Sequence, residues 1–261
     1  MFQTSVLASG SKGNAFLIKT SKTKILIDAG LSGKKIIDAV NYHNLDESRL
    51  KAVIVSHEHS DHVAGAGVLC RKLKIPLYIS KLTHEAALKR LGKLPSGVRY
   101  FSGGEYIKIH DLTVHPFVAS HDAVDHHNFV VTSPDYENKK LAVITDVGYV
   151  SRLLIEKLKN VTTLILESNH DIEMLMNGPY PWELKQRVKS RSGHLSNEQA
   201  VSVISQIHHP DLKNIILAHL SEHNNTPELA KSVMQNFLDT VRSNAELFVA
   251  EQYKPSALLD V

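Results

Sequence analysis

Six residues limit what this chain can fold into more than any others: His57-Glu58-His59-Ser60-Asp61-His62, directly after the apolar run at 52–56. A short run of that kind, bounded by polar residues, reads as a buried strand. Three imidazoles and a carboxylate therefore arrive together at a strand end. On an extended loop His57 and His59 are two apart and can point the same way, while Asp61 and His62 can turn toward a second point as a helix begins. That arrangement suits two cations side by side. A polar strand-to-helix loop with a carboxylate N-cap would account for one of these residues, not for four ligand-type residues at this spacing.

Composition narrows the chemistry. The chain has 261 residues, 43% hydrophobic and 22% charged, which is enough to bury a substantial core and excludes a disulfide-stapled mini-protein or a disordered chain. Sixteen His stand against one Cys (Cys70), so a Cys-rich zinc module is excluded and a metal site must use His and carboxylates. One cysteine cannot form an internal disulfide and fits a reducing compartment. The first residues lack a signal-peptide core, and nowhere do 18 apolar residues run uninterrupted, so a soluble, cytoplasmic protein is expected. The net charge of +3 is compatible with a phosphate-bearing substrate but too small to argue for one.

Along the chain, strands are expected at 3–8, 16–20, 24–28, 52–56 and 76–80, then at 112–119, 128–133, 140–145, 163–167, 214–218 and 246–250. Helices are expected at 63–73 and 83–91. Ser196 with Gln199 makes a capping-box pattern opening a helix to about 207, and Thr226-Pro227-Glu228 opens another to about 240. No repeat, low-complexity tract or linker interrupts the series. The expectation is one α/β domain over 1–261, with mixed sheets and helices outside.

His-x-His-x-Asp-His after a strand, with Ile27-Asp28-Ala29-Gly30 upstream, resembles the metallo-β-lactamase fold, and further family motifs follow in order. His121 in Ser120-His121-Asp122-Ala123, Asp146 in Thr145-Asp146-Val147-Gly148 and His219 in Ala218-His219-Leu220-Ser221 resemble the remaining ligand motifs. Each stands at or just beyond the C-terminal end of an expected strand. The resemblance implies an αββα sandwich of two mixed β-sheets with helices on both outer faces. It also implies two divalent metal ions (Zn, Mn or Fe), one held by His57, His59 and His121 and the other by Asp61, His62 and His219, with Asp146 bridging. Asp28 is expected to fix the metal loop without touching metal. Such a pair suits hydrolysis of a phosphodiester, with Asp61 orienting or deprotonating the attacking water.

Only 73 positions separate Asp146 from His219, too few for the β-CASP module of RNA-cleaving relatives. Glu167-Ser168-Asn169-His170-Asp171 and Gly193-His194-Leu195-Ser196 fill part of that span instead and resemble the phosphodiesterase branch containing ribonuclease Z and PhnP. In that branch the position of His194 contacts the scissile phosphate or protonates the leaving oxygen; the bland alternative is a residue that merely precedes a helix cap. Four cations in seven residues, Lys185, Arg187, Lys189 and Arg191, read as a backbone clamp or as a solvated helix face. Adjacency to His194 favours phosphate contact.

The opening Val6-Leu7-Ala8-Ser9-Gly10-Ser11-Lys12-Gly13-Asn14, together with the motifs around His121, His170 and His194, resembles the bacterial WalJ family, also called YycJ or VicX. That resemblance implies a metal-dependent 5′-to-3′ DNA exonuclease with little sequence preference, touching DNA through its phosphates. Alternatives are a hydrolase of small substrates (a cyclic phosphodiester or a thioester) and a non-catalytic, metal-binding regulatory protein. One departure from the family is Val124-Asp125-His126-His127-Asn128, where His126 and His127 are expected to be extra loop histidines. Ser11 and Asn14 fit a tight turn, Cys70 fits the core, and Met174 with Met176 fits a cover over the site.

Overall fold

The computed structural model describes all 261 residues. The first half opens with an antiparallel meander, β1 (Gln3–Ala8), β2 (Ala15–Lys19) and β3 (Lys24–Ile27). It continues in parallel through β4 (Leu50–Ile54), β5 (Leu77–Ile79) and β6 (Val98–Tyr100). The second half repeats the plan: β7 (Ile107–Ile109), β8 (Leu112–Val118), β9 (His127–Thr132) and β10 (Lys140–Ile144) run antiparallel. β11 (Thr163–Glu167), β12 (Asn214–Ala218) and β13 (Glu246–Val249) then follow β10 in parallel. β14 (Leu259–Asp260) returns to pair with β1, so each sheet has seven strands.

Alternation along the strands decides what each sheet covers. Ile25 and Ile27 of β3 enter a central core with Ile165 of β11 and Ile216 of β12, whereas Leu26, Leu164, Leu166, Ile215 and Leu217 face outward to helices. Both faces are buried, which is why these strands read as unbroken apolar runs. Over the first sheet lie α1 (Gly33–Tyr42), α2 (Ser60–Val63), α3 (Ala66–Leu73) and α4 (Lys81–Leu91). The second half contributes α5 (Arg152–Leu158), α6 (Ile172–Asn177), α7 (Trp182–Lys189), α8 (Asn197–Ile207) and α9 (Pro227–Thr240). Of these, α5, α8 and α9 pack their apolar stripes on the second sheet. The αββα sandwich expected from the sequence is present.

Both well-signalled helix starts hold. Ser196 and Gln199 form the reciprocal capping box of α8, and Thr226 caps α9 ahead of Pro227. The helix expected at 63–73 is corrected to α2 and α3, broken at Gly65. A Cβ on Gly65 would come within 2.0 Å of the Leu31 carbonyl, so the chain needs glycine to pass there and the helix restarts after it. The reading of His127 as a loop residue is also corrected: it begins β9, with its N–H given to Ser56 O, whereas His126 stays in the loop just before that strand; both side chains are buried, His126 against the Thr145 carbonyl. Residues 146–219 carry α5, β11 and α6 to α8, whose turns bring Glu167 and His194 back beside Asp146.

The parallel strands of both sheets end on the same side of the sandwich. Asp28 follows β3, His57 stands three residues past β4, Asp146 two past β10, and His219 follows β12. Asp28, Asp146 and His219 take left-handed backbone, with φ of 60°, 58° and 56°. Such conformations cost of order 1–3 kcal/mol each for residues other than glycine and persist where the surroundings over-determine them. Here Asp28 N donates to Ile54 O at 2.8 Å and His219 N to Ser9 Oγ at 2.7 Å, fixing two of the three turns.

Candidate metal centre

The His loop is held from behind by one carboxylate. Asp28 accepts from Ser56 N (2.8 Å), from Ser56 Oγ (2.8 Å) and from His62 Nδ1 (2.7 Å). With its proton given to Asp28, Ser56 Oγ accepts from His57 Nδ1 at 2.9 Å. A carboxylate only accepts, so both imidazoles carry their proton on Nδ1 and keep the Nε2 lone pair for the interior. Asp28 thus fixes the loop that carries the candidate ligands.

Across the centre the same device recurs. His121 Nδ1 donates to Gly193 O at 3.1 Å, and His219 Nδ1 donates to Glu167 Oε1 at 3.0 Å, so each presents Nε2 inward. The inward atoms converge. His59 Nδ1 lies 3.3 Å from His121 Nε2. His62 Nε2 is 3.4 Å from Asp61 Oδ2 and 3.1 Å from Asp146 Oδ2, and His219 Nε2 is 3.5 Å from Asp146 Oδ1. His57, His59 and His121 form one set of donors within 4.8 Å of one another; Asp61, His62 and His219 form a second; His57, His62 and Asp146 link them. All seven candidate ligands are thus in one place.

Three of these atoms, His57 Nε2, His219 Nε2 and Asp146 Oδ2, are buried and make no hydrogen bond. Buried polar atoms without partners are costly, and several lone pairs aimed at one another need a positive charge between them. The surrounding acidity expresses the same demand. Burial works against the charged forms of His62 and His219, yet the carboxylates of Asp146 and Asp61, joined by Asp28 and Glu167, raise His62 well above the usual range and His219 to about 10. Burial would raise Asp146 and Asp61, but the facing histidines hold both below the usual carboxylate range. Burial first, then the neighbouring His62 and His126, drive His57 well below normal despite Asp146. The donor set, neutral imidazole with ionised carboxylate, fits divalent cations, which would replace the protons on His62 and His219.

Three residues that the sequence reading left without a role shape this centre. Glu167 is fully buried; its Oε1 accepts from His194 Nδ1 (2.8 Å) as well as from His219, and its Oε2 accepts from Val147 N (2.8 Å) and Leu195 N (3.1 Å). Burial would raise Glu167, but His194 and His219 outweigh it and hold it at about 2. Its signal was an acidic residue closing an apolar strand. Asn14, also fully buried, receives Gly10 N on its side chain, gives its own N–H to Asp61 O at 2.7 Å, and brings Nδ2 to 3.1 Å from His62 Nε2. The opening turn is therefore a brace for the metal loop. His126 donates from Nε2 to Thr145 O at 3.0 Å and packs edge-on to His57; burial first, then the neighbouring His121, lowers it to about 3, so it stays neutral.

A cavity of about 250 Å³ opens over the centre, walled by His59, Asp61, His121, Asp146, His194 and His219, with Ser11 and Arg187 at its sides. Of the four clustered cations, Arg187 reaches this cavity and pairs with Asp122 at 2.7 Å. Lys185 turns to Met176 O, and Lys189 to Met176 Sδ. Neither Met174 nor Met176 lines the cavity, so no methionine cover lies over it. A larger cleft of about 1030 Å³ lies among Thr132, Lys140, His209 and Lys213, at the other end of the strands, and none of the converging donors is there.

Comparisons with known proteins agree with this geometry. Residues 8–153 match the metallo-beta-lactamase superfamily. The chain is 41% identical to the exodeoxyribonuclease WalJ of Streptococcus pneumoniae serotype 2 (strain D39), over 97% of this chain and 93% of that protein. It is 40% identical to the exodeoxyribonuclease YycJ of Bacillus anthracis, over 90% and 88%. The metallo-beta-lactamase fold protein YhfI from Bacillus subtilis shares the fold, with a TM-score of 0.73 at 15% identity over 98% of this chain and all of that one. Matched over more than half its length by the superfamily and over nearly all of it by these relatives, the chain belongs to the metallo-beta-lactamase superfamily, in the family of the WalJ and YycJ proteins.

Proposed function

We propose that this protein is a metal-dependent exodeoxyribonuclease that degrades DNA from 5′ to 3′ with little sequence preference, working in the cytoplasm. The observation that carries the reading is the convergence of seven ligand-type side chains, with orphaned inward atoms, beneath a cavity that also holds His194 and Arg187. The names of its WalJ and YycJ relatives support DNA as the substrate, and the family resemblance supports the polarity. The lone cysteine supports the compartment, and no helix is long and apolar enough to cross a membrane.

In this reading His57, His59 and His121 would hold one divalent ion, and Asp61, His62 and His219 another, with Asp146 available to both. Zn, Mn and Fe all suit such ligands. When bound, the ions supply positive charge and Lewis acidity to a phosphodiester. The side chains do the rest. Asp61, 19% exposed at the cavity, orients the attacking water and takes its proton. His194 is fixed through Nδ1 by Glu167, which leaves Nε2 free to hand a proton to the leaving oxygen. Arg187 meets the phosphate backbone. With no built pocket for a base edge among these residues, contact is through phosphate and falls with salt.

The test is digestion of end-labelled duplex DNA, single-stranded DNA, RNA and a thioester, with Mn²⁺, with Zn²⁺ and with no added metal. DNA should be degraded from its 5′ end, and Asp61→Ala or His62→Ala should abolish this. If no nucleic acid is digested, or if either variant keeps full activity, the reading fails; thioester cleavage alone would make the protein a small-substrate hydrolase.

A further inference from the structure

Beside the metal centre stand two residues that the chemistry above leaves idle. The Arg191 guanidinium lies 4.0 Å over the ring of Tyr149, and 44% of the tyrosine remains exposed. Arg191 is exposed as well. Unlike Arg187, which is tied to Asp122, it has no carboxylate partner, so an aromatic face and a guanidinium plane are stacked at the surface with nothing to neutralise the charge.

The pair is firmly placed. Tyr149 comes three residues after Asp146, and Arg191 three before His194. Their backbones are laced together: Gly148 N donates to Ser120 O (2.8 Å), Ser120 Oγ donates to Arg191 O (2.7 Å), and Asp122 N donates to Ser192 O (2.9 Å). A Cβ on Gly148 would approach the Arg191 carbonyl to 2.5 Å, so glycine alone permits this contact. Ser192 and Gly193, the next two residues after Arg191, are part of the cavity wall. The stack therefore lies just outside the cavity wall, one residue along the chain from Ser192.

We propose that Arg191 and Tyr149 form a stacking platform for an unpaired nucleobase next to the phosphodiester held in the site. This rests on the nuclease reading and adds a base subsite to it. A base lies flat on the open face of the guanidinium, with the tyrosine ring behind holding that plane rigid. Every base has such a face, so the subsite adds affinity without reading sequence. A base inside a duplex already has neighbours on both faces, so the platform favours single-stranded or frayed ends.

The experiment compares single-stranded DNA oligonucleotides that carry either a base or an abasic sugar at the first two positions of the 5′ end, using the metal-loaded protein and measuring kcat/KM. The parent should digest the base-bearing strand about tenfold better, the scale expected of one stacked base. Arg191→Lys, which keeps the charge and loses the plane, should abolish that preference, as should Tyr149→Ala. Arg191 is exposed, so its variant keeps the test valid if Tyr149→Ala fails to fold. A parent that digests DNA with no preference for the base, or variants that slow both strands equally, would overturn the platform and leave the nuclease intact. No digestion of either single strand would overturn the platform, and no digestion of duplex DNA alongside them would overturn the nuclease reading as well.

Discussion

The two halves of the sandwich build the centre in opposite ways. The first sheet delivers His57, His59, Asp61 and His62 from one short stretch that runs from the loop after β4 into α2; Asp28 holds His62 and, through Ser56, His57, while Asn14 holds Asp61. The second sheet delivers His121, Asp146, His194 and His219 from four loops spread over about a hundred residues, and only the fold brings them together. The orienting carboxylates differ as well. Asp28 serves the loop that surrounds it, whereas Glu167 serves two histidines of different loops through the same oxygen, Oε1. The first half is a locally encoded cluster; the second is an assembly whose parts depend on one another.

The largest effect should come from the residue that reaches both halves. Asp146 lies 3.1 Å from His62 of the first and 3.5 Å from His219 of the second. Asp146→Ala should abolish DNA digestion and lower the bound metal measured by elemental analysis. Chelation should do the same to the parent, with recovery on adding back Mn²⁺ or Zn²⁺. Parent-like digestion by Asp146→Ala would show that the halves work separately.

Next in size is the contrast between the two carboxylates. Asp28→Asn should weaken metal affinity by about 10- to 100-fold, with the rate restored at saturating metal, because it only orients ligands. Glu167→Gln should weaken affinity on a similar scale and also lower kcat at saturating metal, with a changed pH profile, because it holds His194 too. Competition titration with a chelating dye, together with kcat at saturating metal, separates the two. If metal restores both variants fully, Glu167 is no more than another Asp28.

The same contrast explains what could be read from the sequence. The first half was legible because its candidate ligands share six consecutive residues after a strand and its glycines mark where backbones touch; a Cβ on Gly30 would sit 1.6 Å from Asp61 O. In the second half the motifs point to His121, Asp146 and His219 as candidate ligands; Glu167 stands inside a quoted motif too, yet its role does not show, because an acid ending an apolar strand looks the same whether it faces water or a buried pair of histidines. His127, which begins β9, is hidden for a related reason. A polar residue at the start of a strand signals a loop until the partner strand is seen to bury it. Helix α1 went unmarked because its cap, Ser32 accepting from Lys35 N, precedes a run of lysines with no capping-box acid.

A third and smaller effect is confined to the second half and concerns stability. His170 follows Glu167 by three residues, is 2% exposed, and burial lowers it to about 4, so the folded state holds it neutral. The unfolded chain binds a proton there near 6.5, so unfolding takes up protons below that pH and stability falls as the pH drops toward 4. The contribution is up to about 1.4 kcal/mol per pH unit within that window, and it vanishes above pH 7. Urea denaturation at pH 7, 6 and 5 should show the loss, and His170→Gln should reduce the slope by that amount. An unchanged slope would place the acid-sensitive groups elsewhere.

The smallest effect tests whether the rim adds anything the centre lacks. Arg187 and Lys185 belong to the same short basic run, yet Arg187 lines the cavity with its side chain 60% exposed, while Lys185 is spent on the Met176 carbonyl. A cation that meets a DNA phosphate releases condensed counterions, so removing it lowers the slope of log affinity against log salt by about one. Removing a cation that meets none leaves the slope alone. Arg187→Ala should therefore flatten the salt dependence of DNA binding by about one unit, whereas Lys185→Ala should not, both read by fluorescence anisotropy from 50 to 200 mM salt. Arg187 must leave Asp122 to reach a phosphate, and an exposed ion pair of this kind is worth about 0–1 kcal/mol, so the exchange is easy. Equal slopes for the two variants would mean that the basic run acts through its overall field, and that the second half holds DNA by its loops alone.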